Sequence, residues 1–342
     1  MISPVLIRRK PLFLIRYFLR IISDRRIPRE KRRIRSILFH THYKCNLNCA
    51  HCYEKNFTNT DSNPLSLEEK KRIITDCLRE GALAFDFVSG ESSIDPDLSK
   101  LVQACKPHKT YITLATNGYD LSTDRIRSFS DVGIDKLNVS LDSWFAHEHD
   151  AMRRKEGAYR NAFRTISSCK RLGMGIQATT VVYRDSTKSD GFKKLVEYAI
   201  KNRIRLTFKA AVPLGKWEAH YDNLISEDDK RIMFSLHREY PFLTRTCIPN
   251  RGSVCPAFDT LLTVTAYGDV LPCNTIHISY GNLRNDRLSY IIKRGRSSDI
   301  YLKRFKGCPP AESYDFIQSA LSKTYGAYPY PAKAEYIFKK SN

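Results

Sequence analysis

Cys45, Cys49 and Cys52 stand within eight residues, in the stretch "CNLNCAHC". Disulfides suit this array badly, because three thiols leave one unpaired and nothing upstream reads as a secretory signal. A metal centre suits it better. Zinc ordinarily takes four ligands, whereas an iron–sulfur cube can be held by three thiolates with its fourth iron left open. The only imidazoles close by are His42 and His51. Four further cysteines cluster much later in the chain, at Cys247, Cys255, Cys273 and Cys308. Between them, "LLTVT", a Tyr-Gly-Asp turn and "DVLPC" read as a β-hairpin that would draw Cys255 and Cys273 together. Four thiols around such a hairpin suggest a second, closed metal site, with structural zinc as the plain alternative. The remaining Cys77, Cys105 and Cys169 sit among apolar residues of expected helices and read as small buried hydrophobes.

The elements that position these thiols follow a regular alternation. "SILFHTH" reads as a buried strand, "SLEEKKRIITDCLREG" as a helix capped by Ser66 with Glu69 three residues on, and "ALAFDFVSG" as the next strand. The same alternation continues through "TYITLATNG", "DKLNVSLD", "GIQATTVVY" and "IRLTFKAAVP", each preceded by a helix pattern. Six such units in series imply parallel strands joined by right-handed crossovers, an α/β sheet or barrel. In such folds chemistry gathers at the C-terminal ends of the strands. The first three cysteines follow the first strand directly.

Charge adds a separate expectation. The 342 residues carry a formal charge of +21, and residues 1–35 hold twelve Lys and Arg against Asp24 and Glu30. Within that arm "PLFLIRYFLRII" is apolar but interrupted by Arg16 and Arg20, and is too short to span a bilayer. It reads either as a basic amphipathic helix lying on an anionic membrane surface or as a helix packed across the barrel bottom with a solvated basic face. Nucleic acid is the weaker partner, since no OB, KH or RRM pattern is visible.

The C-x3-C-x2-C array after the first strand resembles the hallmark of the radical S-adenosylmethionine enzymes, and the resemblance runs from about Ser36 to about Pro213. "SGES" resembles the family's G-G-E-P at the end of strand two, with Ser89 in place of the first glycine and Ser92 in place of the proline. "LATNG" resembles its third-strand T-N-G, and "NVSLDSWFAHEHDAMRRKEGAY" its segment after strand four, with Arg154 where the family has glycine. The resemblance implies a partial (β/α)6 TIM-like barrel. It also implies a [4Fe-4S] cluster on Cys45, Cys49 and Cys52 whose open iron chelates S-adenosyl-L-methionine to yield a 5′-deoxyadenosyl radical. Gly90 and Glu91, beside Ser89, would face the methionyl ammonium, Asn117 the adenosyl group, Ser140 the ribose and Arg153 the carboxylate.

Cys255, Gly268 and Cys273 resemble the family's C-x(9–15)-G-x4-C auxiliary pattern, in its shortened twitch form of the SPASM extension. This implies a C-terminal β-hairpin extension and a second [4Fe-4S] cluster, for which Cys247, Cys255, Cys273 and Cys308 are the candidate ligands. The expected organisation is a basic arm over 1–35, the barrel over 36–225, the auxiliary domain over 226–310 and a tail over 311–342. The implied activity is oxidation, epimerisation or cross-linking of a peptide or small molecule such as a sugar or alcohol. The expected electron donor is a flavodoxin or ferredoxin, and the expected location cytoplasmic, with peripheral contact at the inner membrane face. A nucleic-acid-modifying radical enzyme and a non-catalytic iron–sulfur protein are the alternatives. Substrate-side acid or base candidates are Lys209, Arg184, Tyr183 and His277, at strand ends or beside the hairpin.

Overall fold

The computed structural model describes residues 9–245 and 254–338, so Cys247 lies outside the described residues. Six β/α units supply β1 (Ser36–His40), β2 (Ala84–Val88), β3 (Tyr111–Thr116), β4 (Lys136–Ser140), β5 (Gly175–Val182) and β6 (Arg205–Ala210). Each pairs in parallel with the next, and β7 (Leu243–Arg245) adds a further parallel strand beside β6. The helices between them are α2 (Leu67–Arg79), α3 (Leu98–Ala104), α4 (Thr123–Val132), α5 (Ala146–Arg153), α6 (Ala158–Arg171) and α7 (Asp190–Lys201). They are preceded by α1 (Pro11–Arg26) and followed by α8 (Glu227–Glu239). This is the α/β architecture expected from the alternation, in the partial-barrel form that the resemblance implies.

Local chemistry sets the boundaries. Ser66 accepts from the Glu69 backbone N–H while the Glu69 carboxylate accepts from the Ser66 N–H, a reciprocal cap that starts α2 where the sequence pattern placed it. Along β1, Ile37, Leu38, Phe39 and His40 are all buried, as a strand covered on both faces requires. Cys77, Cys105 and Cys169 lie in the same continuous core.

The hairpin is more deeply integrated than its sequence suggests. Its strands β8 (Leu261–Val264) and β9 (Val270–Leu271) are antiparallel to each other, but β8 also runs parallel to β1, in register from Ser36 with Leu261. The sheet order is therefore β7-β6-β5-β4-β3-β2-β1-β8-β9, so the segment carrying the later cysteines extends the barrel wall itself. A small separate pair, β10 (Ile278–Ser279) with β11 (Ala332–Lys333), ties the tail back to the hairpin region. Tyr330 is buried there against Phe57 and donates its backbone N–H to the Asn59 carbonyl at 2.8 Å.

Leu262 on β8 is fully buried in the barrel core. Leu262→Ala is therefore expected to cost about 2–5 kcal/mol in urea unfolding, within one cooperative transition. A loss below about 0.5 kcal/mol would show the hairpin to be an appendage.

Candidate active site

The loop from Thr41 to Thr58 has almost no regular structure of its own, so its cysteines are held by what grips the loop. The turn after β2 grips it from one side. Ser89 donates its hydroxyl to the His42 carbonyl at 2.8 Å, and Glu91 donates its N–H to the Lys44 carbonyl at 3.0 Å. Gly90 has φ +45°, and a Cβ there would lie 2.3 Å from the Lys44 oxygen. Ser89, which stands where the family has glycine, itself has φ 94°, with its hydroxyl bond fixing the turn.

The turn after β6 grips the loop from the opposite side. Gly215 has φ +61°, and a Cβ there would meet the Cys52 carbonyl at 2.2 Å. Lys216 donates its N–H to that same carbonyl at 3.0 Å and its ammonium to the Asn48 carbonyl at 2.7 Å. A third tie is the Ala50 N–H to the Met152 carbonyl at 2.9 Å, from the last turn of α5.

Around this loop the expected cofactor residues come together. Asn117, just past β3, donates its side-chain amide to Asn46 at 2.8 Å and lies 3.9 Å from the Cys45 sulfur. Its own N–H goes to Glu91 Oε2 at 2.7 Å, and Glu91 Oε1 accepts from Ser93, so the buried Glu91 carboxylate laces the ends of β2 and β3 together. Arg153 is buried, with Nη2 at 2.7 Å from Asp142 and Nη1 at 3.8 Å from the Cys49 sulfur. Arg154 caps α5 with φ 50° and is exposed, the backbone state a glycine would take, which leaves Arg153 as the arginine that faces the cysteines.

Burial works against charge on Asp142, but Arg153 and the rings of His51 and His149 outweigh it and hold the carboxyl down at about 2. Burial, reinforced by Arg153, pulls His51 down to about 4, so that ring is neutral near pH 7. Desolvation within the loop raises the half-buried Cys52 thiol to about 12 and the more exposed Cys45 thiol to about 11. Iron uptake must therefore displace protons from these sulfurs.

The cysteine loop, Ser89, Gly90, Glu91, Asn117, Ser140 and Arg153 line one cleft of about 330 Å³. Two buried polar atoms in it have no hydrogen-bond partner among the described residues, His51 Nδ1 and Arg153 Nε. Three sulfurs on one loop, a guanidinium and orphaned polar atoms fit a cluster with a polar, charged ligand on it. No three His, Cys, Asp or Glu side chains among the described residues are placed to hold a single metal ion. A zinc site requires such convergence, whereas a cube bonds each thiolate to a different iron.

The later cysteines also meet. Cys255 leads into β8 and donates its N–H to the Phe305 carbonyl; Cys273 follows β9 with its sulfur 3.3 Å from the Thr275 hydroxyl. Cys308 donates its N–H at 2.9 Å to Glu312, whose same oxygen pairs with Arg245. All three line a second cavity of about 180 Å³, and it shares a wall with the first: His51, Tyr53, Ser140, Arg153 and Lys209 border both.

Of the four acid or base candidates, Lys209 alone reaches these cavities. His277 is buried between the Tyr330 hydroxyl and the Asn274 carbonyl, Arg184 donates to the Asp222 carbonyl at 2.9 Å, and Tyr183 lies edge-on to Trp217. Sequence reasoning missed Tyr53, Trp217 and Arg245 as lining residues and Gly215 as a clamp. Tyr53 adjoins the cysteine motif, but Arg245 and Gly215 carry no local signal.

Gly90→Ala tests the grip. The variant is expected to remain soluble yet lose most of the iron bound by the first cysteine group on anaerobic reconstitution, because the added Cβ must push Lys44 and its loop away. Iron content equal to the parent protein would show that the contact is dispensable.

Comparison with known proteins agrees with this geometry. The chain is 28% identical over 177 residues to a GTP 3′,8-cyclase of Clostridium perfringens (strain SM101 / Type A), covering 51% of this chain and 54% of that one. It thus spans about half the length of that curated relative. It is 23% identical over 270 residues to an AdoMet-dependent heme synthase of Methanosarcina barkeri (strain Fusaro / DSM 804), covering 70% and 76% of the two chains. In fold it is similar to Streptococcus suis SuiB bound to S-adenosylmethionine, with TM-score 0.61, 16% identity and coverage of 83% and 70%. It is similar also to anSMEcpe bound to AdoMet and the Cp18Cys peptide, with TM-score 0.60, 17% identity and coverage of 83% and 86%. Residues 40–199, which hold the three-cysteine loop, the clamping turn after β2 and Arg153, match the model of the radical SAM superfamily. That match spans 160 of the 342 residues, and the clamped cysteine loop lies inside it.

Proposed function

We propose that this protein is a radical S-adenosylmethionine enzyme with two iron–sulfur clusters, acting on a substrate held between them. The observation that carries this reading is the wall common to the two cavities, with Cys45, Cys49 and Cys52 on one side and Cys255, Cys273 and Cys308 on the other. Cys247 completes the second ligand set in this proposal. When bound, the first cluster and S-adenosylmethionine would together supply a 5′-deoxyadenosyl radical, and the second cluster an electron acceptor for net oxidation, epimerisation or cross-linking.

The chain's own residues orient and enclose these groups. Arg153, held by the Asp142 carboxylate, is fixed where it can pair with the methionyl carboxylate. Asn117 and Ser140 line the same cleft and are assigned to the adenosyl and ribose groups, with Ser89, Gly90 and Glu91 at the methionyl end.

The substrate-facing cavity is mostly apolar, with Phe208, Val181, Val212 and Trp217 in its lining. Lys209 has no hydrogen bond or ion pair among the described residues. Arg245 spends one arm on Glu312, lies over the Phe234 ring, and has no hydrogen-bond partner for its buried Nη1 among the described residues. A peptide or small molecule with an apolar body and an acidic group would satisfy both cations. Relatives are named for GTP and heme, and the anSMEcpe structure holds a peptide. A small acidic carrier such as flavodoxin or ferredoxin is the proposed electron donor, since the chain carries +21.

Anaerobically reconstituted protein is expected to hold about eight irons and eight sulfides. Changing Cys45, Cys49 and Cys52 to Ala should halve the iron and abolish 5′-deoxyadenosine formation under reductant. Changing Cys255, Cys273 and Cys308 to Ala should also halve the iron, while cleavage of S-adenosylmethionine in the absence of substrate continues. About four irons in the parent protein would sink the second cluster, and undiminished cleavage in the first variant would sink the first.

A further inference from the structure

Helix α1 has two apolar faces, and the barrel uses only one. Phe13 and Leu14 are buried against Leu83 and Tyr111, and Lys10, just before the helix, reaches Asp135 and the Thr110 carbonyl. Asp24 is buried next to Arg35. Every one of these partners outside the arm precedes or opens a strand, so the helix caps the N-terminal end of the barrel. Packing across the barrel bottom, one of the two readings of the arm, is thus seen.

The other face is covered by nothing among the described residues. Seven aliphatic or Phe side chains of large size are exposed there or elsewhere on the described surface, and five of them are Leu12, Ile15, Phe18, Leu19 and Ile22, between 41% and 63% exposed. At 100° per residue these five fall within one arc of about 120°, opposite the buried face. A single exposed Leu is unremarked on a protein surface, but a continuous stripe of this kind marks a contact.

Charge says with what. Arg25 and Arg26 flank the stripe, both exposed and neither in an ion pair among the described residues. The helices of the barrel run opposite to its strands, so their C-terminal ends share this end of the molecule. They bring Lys106, Lys170, Arg171, Lys201, Arg203 and Arg205 to it, all exposed. Helix C-termini favour cations in any protein, which accounts for some of these residues. It does not account for their sharing that end with an exposed apolar helix. Two copies joined through this face would bring the same cations against each other.

We propose that α1 and the basic end of the barrel form a docking surface for an anionic phospholipid bilayer, the helix lying in the interface with Leu12, Ile15, Phe18, Leu19 and Ile22 immersed. Binding of this kind needs no spanning segment, and no described helix is long and apolar enough to cross a membrane. The orientation follows from the strands. The cysteine loop and both cavities lie at their C-terminal ends, a strand length of roughly 17 Å away. The docked enzyme therefore turns its mouth away from the bilayer and takes its substrate from the aqueous side. The surface stands whether or not the proposed chemistry does; only the statement about substrate access rests on that chemistry.

The test uses the full chain with vesicles of phosphatidylglycerol and phosphatidylcholine, against vesicles of phosphatidylcholine alone. The protein is expected to co-float with the anionic vesicles at low salt, to be released as salt rises, and to ignore the neutral ones. Ile15→Ser, Phe18→Ser and Leu19→Ser together should weaken binding at least about tenfold with an unchanged melting temperature, since all three side chains are exposed. Arg25→Glu with Arg26→Glu should weaken it as well. Brominated lipid should quench a Leu19→Trp variant while leaving the native Trp144 and Trp217, beyond the C-terminal ends of β4 and β6, unaffected. Failure of the parent protein to bind, binding retained by the triple variant, or quenching of the native tryptophans each overturns the proposal. A dimer that the triple variant dissolves overturns it too, in favour of a second copy as the occupant.

Discussion

The structure depends on close approach of backbone to backbone around an irregular loop. A segment bearing three metal-seeking thiols cannot be a strand or helix and still present them to one centre, so its carbonyls must be held from outside. Gly90 and Gly215 do this from the two turns that bracket the site, each at a distance no side chain would permit. Both glycines have positive φ, so conformation and space together select the residue type. The strands that deliver these turns, β2 and β6, lie on opposite flanks of the partial barrel, so the loop is fixed only when the barrel has formed.

Electrostatics completes what packing begins. Arg153 could not stay buried alone, and its pairing with Asp142 both keeps it charged and aims it at the cysteines. His51, half-buried and neutral beside them, adds polarity without charge. Lys209 and the Arg245 guanidinium leave positive charge facing an otherwise apolar space. The cavity end of the molecule thus presents Lys209 and Arg245, and the opposite end presents exposed arginines and lysines.

Much of this was legible in the residue order. The spacing of Cys45, Cys49 and Cys52 and the strand–helix alternation are local patterns, and each one that carried the site reappears where it was expected. The sequence left Arg153 and Arg154 open; the structure turns Arg153 toward the cysteines and leaves Arg154 an exposed cap, which spacing does not encode. The pairing of β8 with β1 was not legible, because a hairpin pattern fixes the partner within the hairpin and says nothing of the strand outside it. For the same reason β7 and the β10–β11 pair went unseen: each is two or three residues long and gains its stability from a distant neighbour. Gly215 and Arg245 were missed because their meaning lies in what they touch across the fold. The two-faced nature of α1 was half legible: its apolar richness was plain, but which residues the barrel would claim depended on Leu83 and Tyr111.

The central claim is that two cysteine groups, far apart in sequence, hold two iron centres on one shared cavity. An iron anomalous difference map from anaerobic crystals of the reconstituted protein tests it most directly. The account predicts two separate peaks, one against Cys45, Cys49 and Cys52 and one against Cys255, Cys273 and Cys308, with Lys209 facing the space between them. A single peak at the first group, or a disulfide or lone zinc at the second, would contradict it.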